Sequence, residues 1–372
     1  MAKQVILAVA GAGKTYHICH EIQPDKRNLI VAFTHANIKN IQNELIKAYG
    51  KIPDLTRVMT FDTFVYHMLI RPYEAAIFDF FGEDYSYDET SITIKKPPEQ
   101  RIKVDSHYVI NKKYRKKDCI WHYMDEKKQY YCETLSELAM YIKQGRNSLV
   151  RTAAMRLNRF FDNVMIDEFQ DFREYDYELI VKLSKYLTNI FLVGDYYQHS
   201  VSGQNNSGKP FKMGKTYICY DDFIEKLQGE RFDVDETSLI YSRRCSEEIC
   251  SFVRKKLGIR IYSAEVNSGA IIRPLDVKKI IDDKNIKKLV FDNSSKYSFN
   301  AINWSYSKGD TYESACVILN GSTEELMDDN FSSSKLKTVT LNKLYVALTR
   351  SKGDLYIITK KEFDVLKEIY MK

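Results

Sequence analysis

The chain has 372 residues, of which 44% are hydrophobic and 28% charged, and a formal net charge of +6. This is room for two or three globular domains with real cores, and the mild basicity is compatible with a nucleic-acid partner without requiring one. No apolar run approaches bilayer-spanning length, and the N-terminus, MAKQVILAVAGAGKT, continues into a glycine-rich loop instead of a cleavage site, so a cytoplasmic protein is expected, neither membrane-inserted nor exported.

Residues 5–10 (VILAVA) predict an apolar strand, and Gly11-Ala12-Gly13-Lys14-Thr15 follows before a helical stretch from Thr15 to about Ile22. Strand, glycine-rich turn and helix is the setting of a phosphate loop. Backbone N–H groups face phosphate oxygens, and the helix N-terminus adds positive potential. The candidate cradle is Ala10, Gly11, Ala12, Gly13, Lys14, Thr15 and Tyr16, with Lys14 on the β- and γ-phosphates and the Thr15 hydroxyl on magnesium. Ala8 stands where the usual pattern begins with glycine. The bland alternative is an ordinary glycine turn.

Residues 28–33 (NLIVAF) predict a second strand, and 34–49 a helix capped by Thr34 with Ile38, Ile41, Leu45 and Ile46 on one face. Residues 57–61 (RVMTF) predict a third strand, followed by a helix through Leu69. Such alternation implies a parallel, doubly wound sheet. From Arg71 to about Arg156 the alternation stops. Residues 95–117 carry Lys95, Lys96, Arg101, Lys103, Lys112, Lys113, Arg115, Lys116 and Lys117, with Tyr108, Tyr114 and Trp121 nearby. This predicts an inserted accessory domain whose basic stretch tracks a sugar–phosphate backbone, against the alternative of a solvated basic face.

The sheet resumes at residues 164–167, inside NVMIDEFQD (163–171), which puts Asp167 and Glu168 at the carboxyl end of a strand. Open α/β sheets place their chemistry there. One carboxylate can hold a hydrated magnesium ion and the next can polarise a water. A helix over 173–187 and a strand over 190–193, ending in Gly194-Asp195, come next. Beyond about Leu227 a second α/β unit is expected. It has a helix near 246–257, strands at 288–291, 301–305, 315–319 and 354–359, a helix over 341–349 ending at Arg350, and a last amphipathic helix over 361–370. The seven cysteines (19, 119, 132, 219, 245, 250, 316) form no CxxC pair and are read as reduced thiols, not a zinc or iron–sulfur site.

These motifs together resemble superfamily 1 DNA helicases of the UvrD/Rep type, in the family's order along nearly the whole chain. AGAGKT is similar to its first motif and FTHANIKNIQNEL (33–45) to a segment that touches single-stranded DNA. TFDTF (60–64) resembles the family's T-F-H-S-F, with Asp62 in place of a DNA-contacting histidine. DEFQD and YVALTR are the closest matches, and LVGDYYQHS (192–200), SRRCS (242–246) and YSKGDTYESACVIL resemble the third, fourth and fifth motifs.

The resemblance implies an α/β fold of two RecA-like P-loop lobes with parallel sheets. The first lobe takes residues 1–70 and 157–228, the insert 71–156, and the second lobe 229–372. It implies ATP and Mg2+ as cofactors, with Asp167 and Thr15 on the metal and Glu168 as general base. Gln198, Arg244 and Arg350 would contact the γ-phosphate, Arg350 as arginine finger. Arg243 would stack on the base, and Gly309 and Thr311 fall in place in the fifth motif. Thr34, Asn37 and Thr60 would meet nucleic acid, alongside Lys112, Lys113, Lys116 and Lys117, which the basic stretch itself offers, though helix capping alone explains Thr34. For Arg350, Gln198 and Asp195 the plain structural alternatives are a helix C-terminal cation, a turn residue and a cap. His199 receives no role.

The implied activity is ATP-driven movement on single-stranded or partly duplex DNA, 3′ to 5′. The departures are the family's upstream adenine-reading glutamine motif, for which only a few residues are present, and its second large insert, for which there is no room between Arg244 and Lys308. The base-stacking continuation of the third motif is replaced by VSGQNNSGKP (201–210), with Tyr196 or Tyr197 as substitutes. The short chain gives a second reading, a DNA-sensing ATPase subunit of a larger assembly such as an anti-phage nuclease system. The chain is then prokaryotic or phage-encoded. A P-loop kinase unrelated to nucleic acid is the third reading, opposed by the ordered later motifs.

Overall fold

The computed structural model describes residues 2–85, 89–144, 147–199, 201 and 211–372. Two open sheets carry the architecture. The first holds β1 (Ala2–Leu7), β2 (Asn28–Ala32), β3 (Thr56–Thr60), β4 (Asn163–Asp167), β5 (Asn189–Gly194) and β6 (Asp233–Asp235), in the order β6-β1-β5-β4-β2-β3. β2 pairs in parallel with β4 and β3 on its two sides, Val31 lying beside Ile166 and Met59. Being covered on both faces, β2 is buried at every position, which explains its unbroken apolar run.

The second sheet holds β7 (Ile271–Ile272), β8 (Ile286–Val290), β9 (Ala301–Asn303), β10 (Ser314–Ile318) and β11 (Leu355–Ile358), in the order β7-β11-β10-β8-β9. Every neighbouring pair in it is parallel. The α/β class and the parallel sheets expected from the alternation are present.

By compactness the chain divides into a unit of Met1–Gln4, Thr15–Leu192 and Gly229–Asp233 and a unit of Val5–Lys14, Val193–Gln228 and Val234–Lys372. The helix after the glycine loop is α1 (Lys14–Glu21); in the first unit α2 (His35–Tyr49) is capped by the Thr34 hydroxyl, which accepts from the Asn37 N–H at 3.1 Å, and Gly50 closes it at φ 75°. Ile41 and Leu45 face the core while Ile46 is exposed. After β3 the chain makes one α turn, Phe61–Phe64, and then widens into π-type turns over Val65–Ile70.

Between Ile120 and Leu138 the chain buries Ile120, Tyr123, Met124, Tyr130, Leu135 and Leu138, with the Tyr130 ring 5.9 Å from that of Tyr66. A hairpin, Arg101–Val104 against His107–Ile110, has all eight of its strand residues exposed. Its turn residues Asp105 and Ser106 both take positive φ, the backbone a tight hairpin turn asks for.

Several boundaries differ from expectation. The first strand is Ala2–Leu7, not 5–10: the Ala8 N–H still reaches the Gly194 carbonyl at the end of β5, whereas the Val9 N–H goes to the Leu239 carbonyl. The helix after Arg173 ends at Ser184. The C-terminal amphipathic stretch is two short helices, Lys360–Asp364 and Lys367–Tyr370, the first opened by a Thr359/Glu362 capping box. All seven cysteines are free thiols. Among the described residues no helix is long and apolar enough to cross a membrane.

Candidate nucleotide-binding site

In the first unit, Thr15 and Asp167 meet. The Thr15 hydroxyl donates to Asp167 Oδ2 at 2.8 Å, across 152 positions of sequence. Asp167 ends β4 and is fully buried. Its second oxygen accepts the Glu168 N–H at 2.9 Å. Glu168 itself is left-handed, φ 59° and ψ 41°, a conformation that costs a non-glycine residue energy and is retained where the surroundings over-determine it. The buried Gln170 amide donates to the Glu168 carboxylate. A hydroxyl and a carboxylate at this spacing could supply the protein's share of a magnesium shell, with water and phosphate oxygens as the other ligands. Among the described residues there is no group of three or more His, Cys, Asp or Glu side chains able to hold a metal alone.

Also in this unit, Thr34 and Thr60 are both helix caps. Thr60 accepts from the Thr63 N–H at 3.3 Å, and the Thr34 hydroxyl meets Asn37 Oδ1 at 2.5 Å. Thr34 remains exposed and Asn37 half-buried. Asp62 binds Arg173, whose Nε also donates to Asp176 at 2.6 Å, and Ser136 donates to Asp176 at 2.6 Å. Asp62 thus anchors the start of α3 (Glu174–Ser184). Lys112, Lys113 and Lys116 are exposed, whereas the Lys117 ammonium pairs with the buried Glu137 and reaches the Tyr175 hydroxyl at 3.0 Å. Tyr108 is 71% exposed, while Tyr114 and Trp121 are half-buried.

In the second unit the glycine loop meets three other segments. Gly11 and Gly13 take φ of 74° and 85°, and Ala8 does not adopt the left-handed backbone that would demand glycine. This accounts for the departure at Ala8. A Cβ on Gly11 would lie 2.6 Å from Arg244 Cβ and 2.7 Å from Ser242 Oγ, and Arg243 N–H donates to the Gly11 carbonyl at 2.9 Å. SRRCS is therefore packed on the loop. Arg243 is exposed, and its carbonyl and that of Arg244 are held by Asn267 Nδ2 at 2.9 and 3.1 Å. Arg244 Nη1 donates to the Thr349 carbonyl at 3.2 Å.

Arg350 is 1% exposed. Its guanidinium donates to the carbonyls of Val346 at 2.8 Å, Asp310 at 3.3 Å and Ser307 at 3.4 Å, so the turn containing Gly309 wraps it. Burial, then the Arg244 charge, push its pKa down to about 10. The cation is therefore held in a low-dielectric setting by these three backbone carbonyls and by the Thr349 hydroxyl at 3.3 Å. Gly309, at φ 92°, and Thr311 are exposed.

Gln198 is buried and donates to Asp195 Oδ2 at 2.7 Å, and Asp195 Oδ1 caps the short turn through the Tyr197 N–H at 3.0 Å. Both the sensor and the cap readings of these residues are thus compatible with the geometry. His199 is a core residue, stacked on Phe211 at 4.2 Å with Nδ1 2.5 Å from the Tyr196 carbonyl. Residues 202–210, most of the polar continuation VSGQNNSGKP, lie outside the described residues. One participant carried no role in the sequence reading. Tyr345, inside YVALTR on α5 (Thr338–Leu348, with α4 being Glu247–Leu257), accepts the Ala10 N–H at 2.7 Å and donates to Asp195 Oδ2 at 3.2 Å. A tyrosine amid an apolar helix face reads as core, and only the tertiary contact reveals its hydroxyl.

Parallel sheets, a glycine loop that opens a helix and a hydroxyl–carboxylate pair at a strand end define an α/β fold of the phosphate-loop type. Residues 88–200 match the UvrD/REP helicase N-terminal domain, a stretch that includes DEFQD and the whole of LVGDYYQHS. That stretch is similar to the UvrD/REP helicase N-terminal domain, in agreement with the likeness carried by the motifs. No curated protein matches its sequence.

Among solved structures it is similar to arterivirus nonstructural protein 10 (helicase) in a complex with DNA, at 12% identity, covering 98% of this chain and 63% of that one with a TM-score of 0.45. A second structure of the arterivirus protein gives 13% identity, 99% and 62% coverage and a TM-score of 0.44. PRRSV helicase gives 13% identity, 99% and 54% coverage and a TM-score of 0.42. The chain spans less than two thirds of the length of these helicases.

Proposed function

We propose that the chain is a nucleic-acid-stimulated ATPase of the superfamily 1 helicase type that moves along single-stranded DNA, 3′ to 5′. The observation that carries this reading is the Thr15–Asp167 hydrogen bond, which joins the end of the glycine loop to the acidic strand end. The residues fit a nucleoside triphosphate with Mg2+. Gly11 and Gly13 have the backbone a phosphate cradle needs, and Thr15 with Asp167 supplies two oxygens. ATP with its metal supplies a γ-phosphoryl group whose transfer to water releases energy.

The chain's own residues do the rest. Lys14 places positive charge on the phosphates. Glu168, anchored by Asp167 and Gln170, orients the attacking water and takes its proton. Gln198, Arg244 and Arg350 answer the charge of the γ-phosphate, Arg350 after exchanging its carbonyl partners. Loss of that phosphate changes which contacts favour closure, a differential that drives a two-state change. Lys112, Lys113 and Lys116 offer sites to the phosphate backbone.

The test is nucleotide turnover by the purified chain with Mg2+, with and without a single-stranded oligonucleotide. Stimulation supports the reading, and turnover indifferent to DNA and RNA favours a P-loop enzyme of another kind. A second reading, a DNA-sensing ATPase subunit that needs a nuclease or other partner to unwind, draws support from the 244–308 segment. Its residues are used up by α4, β7, β8, β9 and their connections. Strand displacement by the chain alone decides between the two.

A further inference from the structure

The hydroxyl of Tyr345 sits between two pieces of the proposed machinery that are far apart in sequence. It accepts the Ala10 N–H of the phosphate loop at 2.7 Å, across 335 positions, and gives its own proton to Asp195 Oδ2 at 3.2 Å, across 150. The same Oδ2 accepts the Gln198 side-chain amide at 2.7 Å. One turn earlier on the same helix, Asn342 Nδ2 donates to the His199 carbonyl at 2.9 Å, so α5 grips the 195–199 turn at both ends. Tyr345, Asn342, Ala10 and Asp195 are all fully buried. Burial and the neighbouring Asp195 raise the Tyr345 pKa well above that of a free phenol, so the proton stays on the ring oxygen and the direction N–H to O–H to carboxylate is fixed.

A buried tyrosine hydroxyl ordinarily finds some partner, and a single bond would be plain packing. Here both of its bonds end on the segments whose relative placement matters for the nucleotide. If the phosphate loop shifts Ala10, Tyr345 must follow or lose its donor. In either case Asp195 Oδ2 changes how it is shared with Gln198. Resting on the ATPase reading, we propose that Tyr345 is a positioning residue that couples the state of the phosphate loop to the placement of Gln198 through Asp195.

Tyr345→Phe keeps the ring and removes both hydrogen bonds. Hydrogen exchange is measured on peptides covering residues 8–14 and 195–199, with and without ADP or a non-hydrolysable ATP analogue plus Mg2+. In the wild type both peptides gain protection together. In Tyr345→Phe the first still responds and the second does not. Turnover gives the companion readout. Tyr345→Phe lowers kcat by about tenfold to a hundredfold, the scale of a small misplacement, and leaves the KM for ATP within about threefold. Combined with Gln198→Ala, it falls no lower than the worse single variant, because both act through one relay.

Losses that multiply in the double variant, or a Tyr345→Phe protein whose 195–199 peptide still responds, overturn the proposal and leave the ATPase reading standing. The wild-type arm needs no variant to fold: protection at 8–14 without any change at 195–199 also overturns the coupling. A wild type in which residues 8–14 ignore every nucleotide overturns the ATPase reading, and the coupling with it.

Discussion

Arg244 leaves no room for a side chain on Gly11: a Cβ there would come within 2.6 Å of Arg244 Cβ and 2.7 Å of Ser242 Oγ. Gly11 also has φ 74°, where an L-residue is strained by about 1–2 kcal/mol. Gly11→Ala is therefore expected to lose that strain energy and about 1–3 kcal/mol more for overpacking. Gly50 is the control. It has nearly the same φ, 75°, with nothing within 4 Å of its added Cβ. Urea denaturation of the two alanine variants separates backbone strain from contact, and equal losses would show that Arg244 yields freely.

Glu168 stands apart from Asp167 in what its loss should do. Its carboxylate accepts from Gln170 and its N–H is spent on Asp167. Glu168→Gln keeps shape and removes the capacity to take a proton. Turnover should fall by about 10²–10⁴-fold with nucleotide affinity nearly unchanged. Thr15→Ala, which removes one side of the 2.8 Å pair, should instead weaken Mg2+-dependent nucleotide binding. Titrations with Mg2+ present and absent distinguish the two, and a Glu168→Gln protein turning over near the wild-type rate would remove the base assignment.

The basic stretch divides by partner. Lys112, Lys113 and Lys116 are exposed, but Lys117 pairs with Glu137, beside His122 Nε2 at 3.4 Å. Neutralising the first three should weaken binding of a single-stranded oligonucleotide and reduce the slope of log affinity against log salt by up to about 2. Lys117→Met should leave that slope alone and cost about 1 kcal/mol of stability, between the values for surface and buried pairs. Fluorescence anisotropy at several salt concentrations, with a thermal melt, reads both. An unchanged slope in the triple variant returns these lysines to an ordinary solvated face.

How legible the chain was follows from where each signal lives. Apolar runs such as NLIVA gave the strands because burial on both faces leaves its mark in composition. The phosphate loop and DEFQD were readable because consecutive residues supply the chemistry, and the fold brings Thr15 within 2.8 Å of Asp167. Residues whose role depends on partners distant in sequence were less so. Lys117 looks like its neighbours until Glu137 is placed beside it, and Tyr345 looks like core until Ala10 and Asp195 are. The final helix broke in two at a stretch with continuous amphipathic spacing, a feature set by packing around Phe363 and Tyr370.

His199 supplies a pH dependence independent of any activity. It is fully buried against Phe211, and burial pushes its pKa down to about 4 from the ordinary 6.5. The groups facing it do not reverse this, since Lys308 and Lys212 also disfavour the cation and only the Tyr196 carbonyl favours it. Because the folded value lies below the unfolded one, the unfolded chain binds the extra proton first. Stability from this residue is full above about pH 6.5, falls as the pH drops towards 4, and the loss amounts to about 3 kcal/mol below both values. His199→Gln keeps a donor for the Tyr196 carbonyl and does not titrate, so its unfolding free energy should slope less steeply between pH 6.5 and 4 than the wild type's. Parallel slopes across that window would mean that His199 takes up a proton within the fold at its ordinary pKa, and that the packing around Phe211 opens to water.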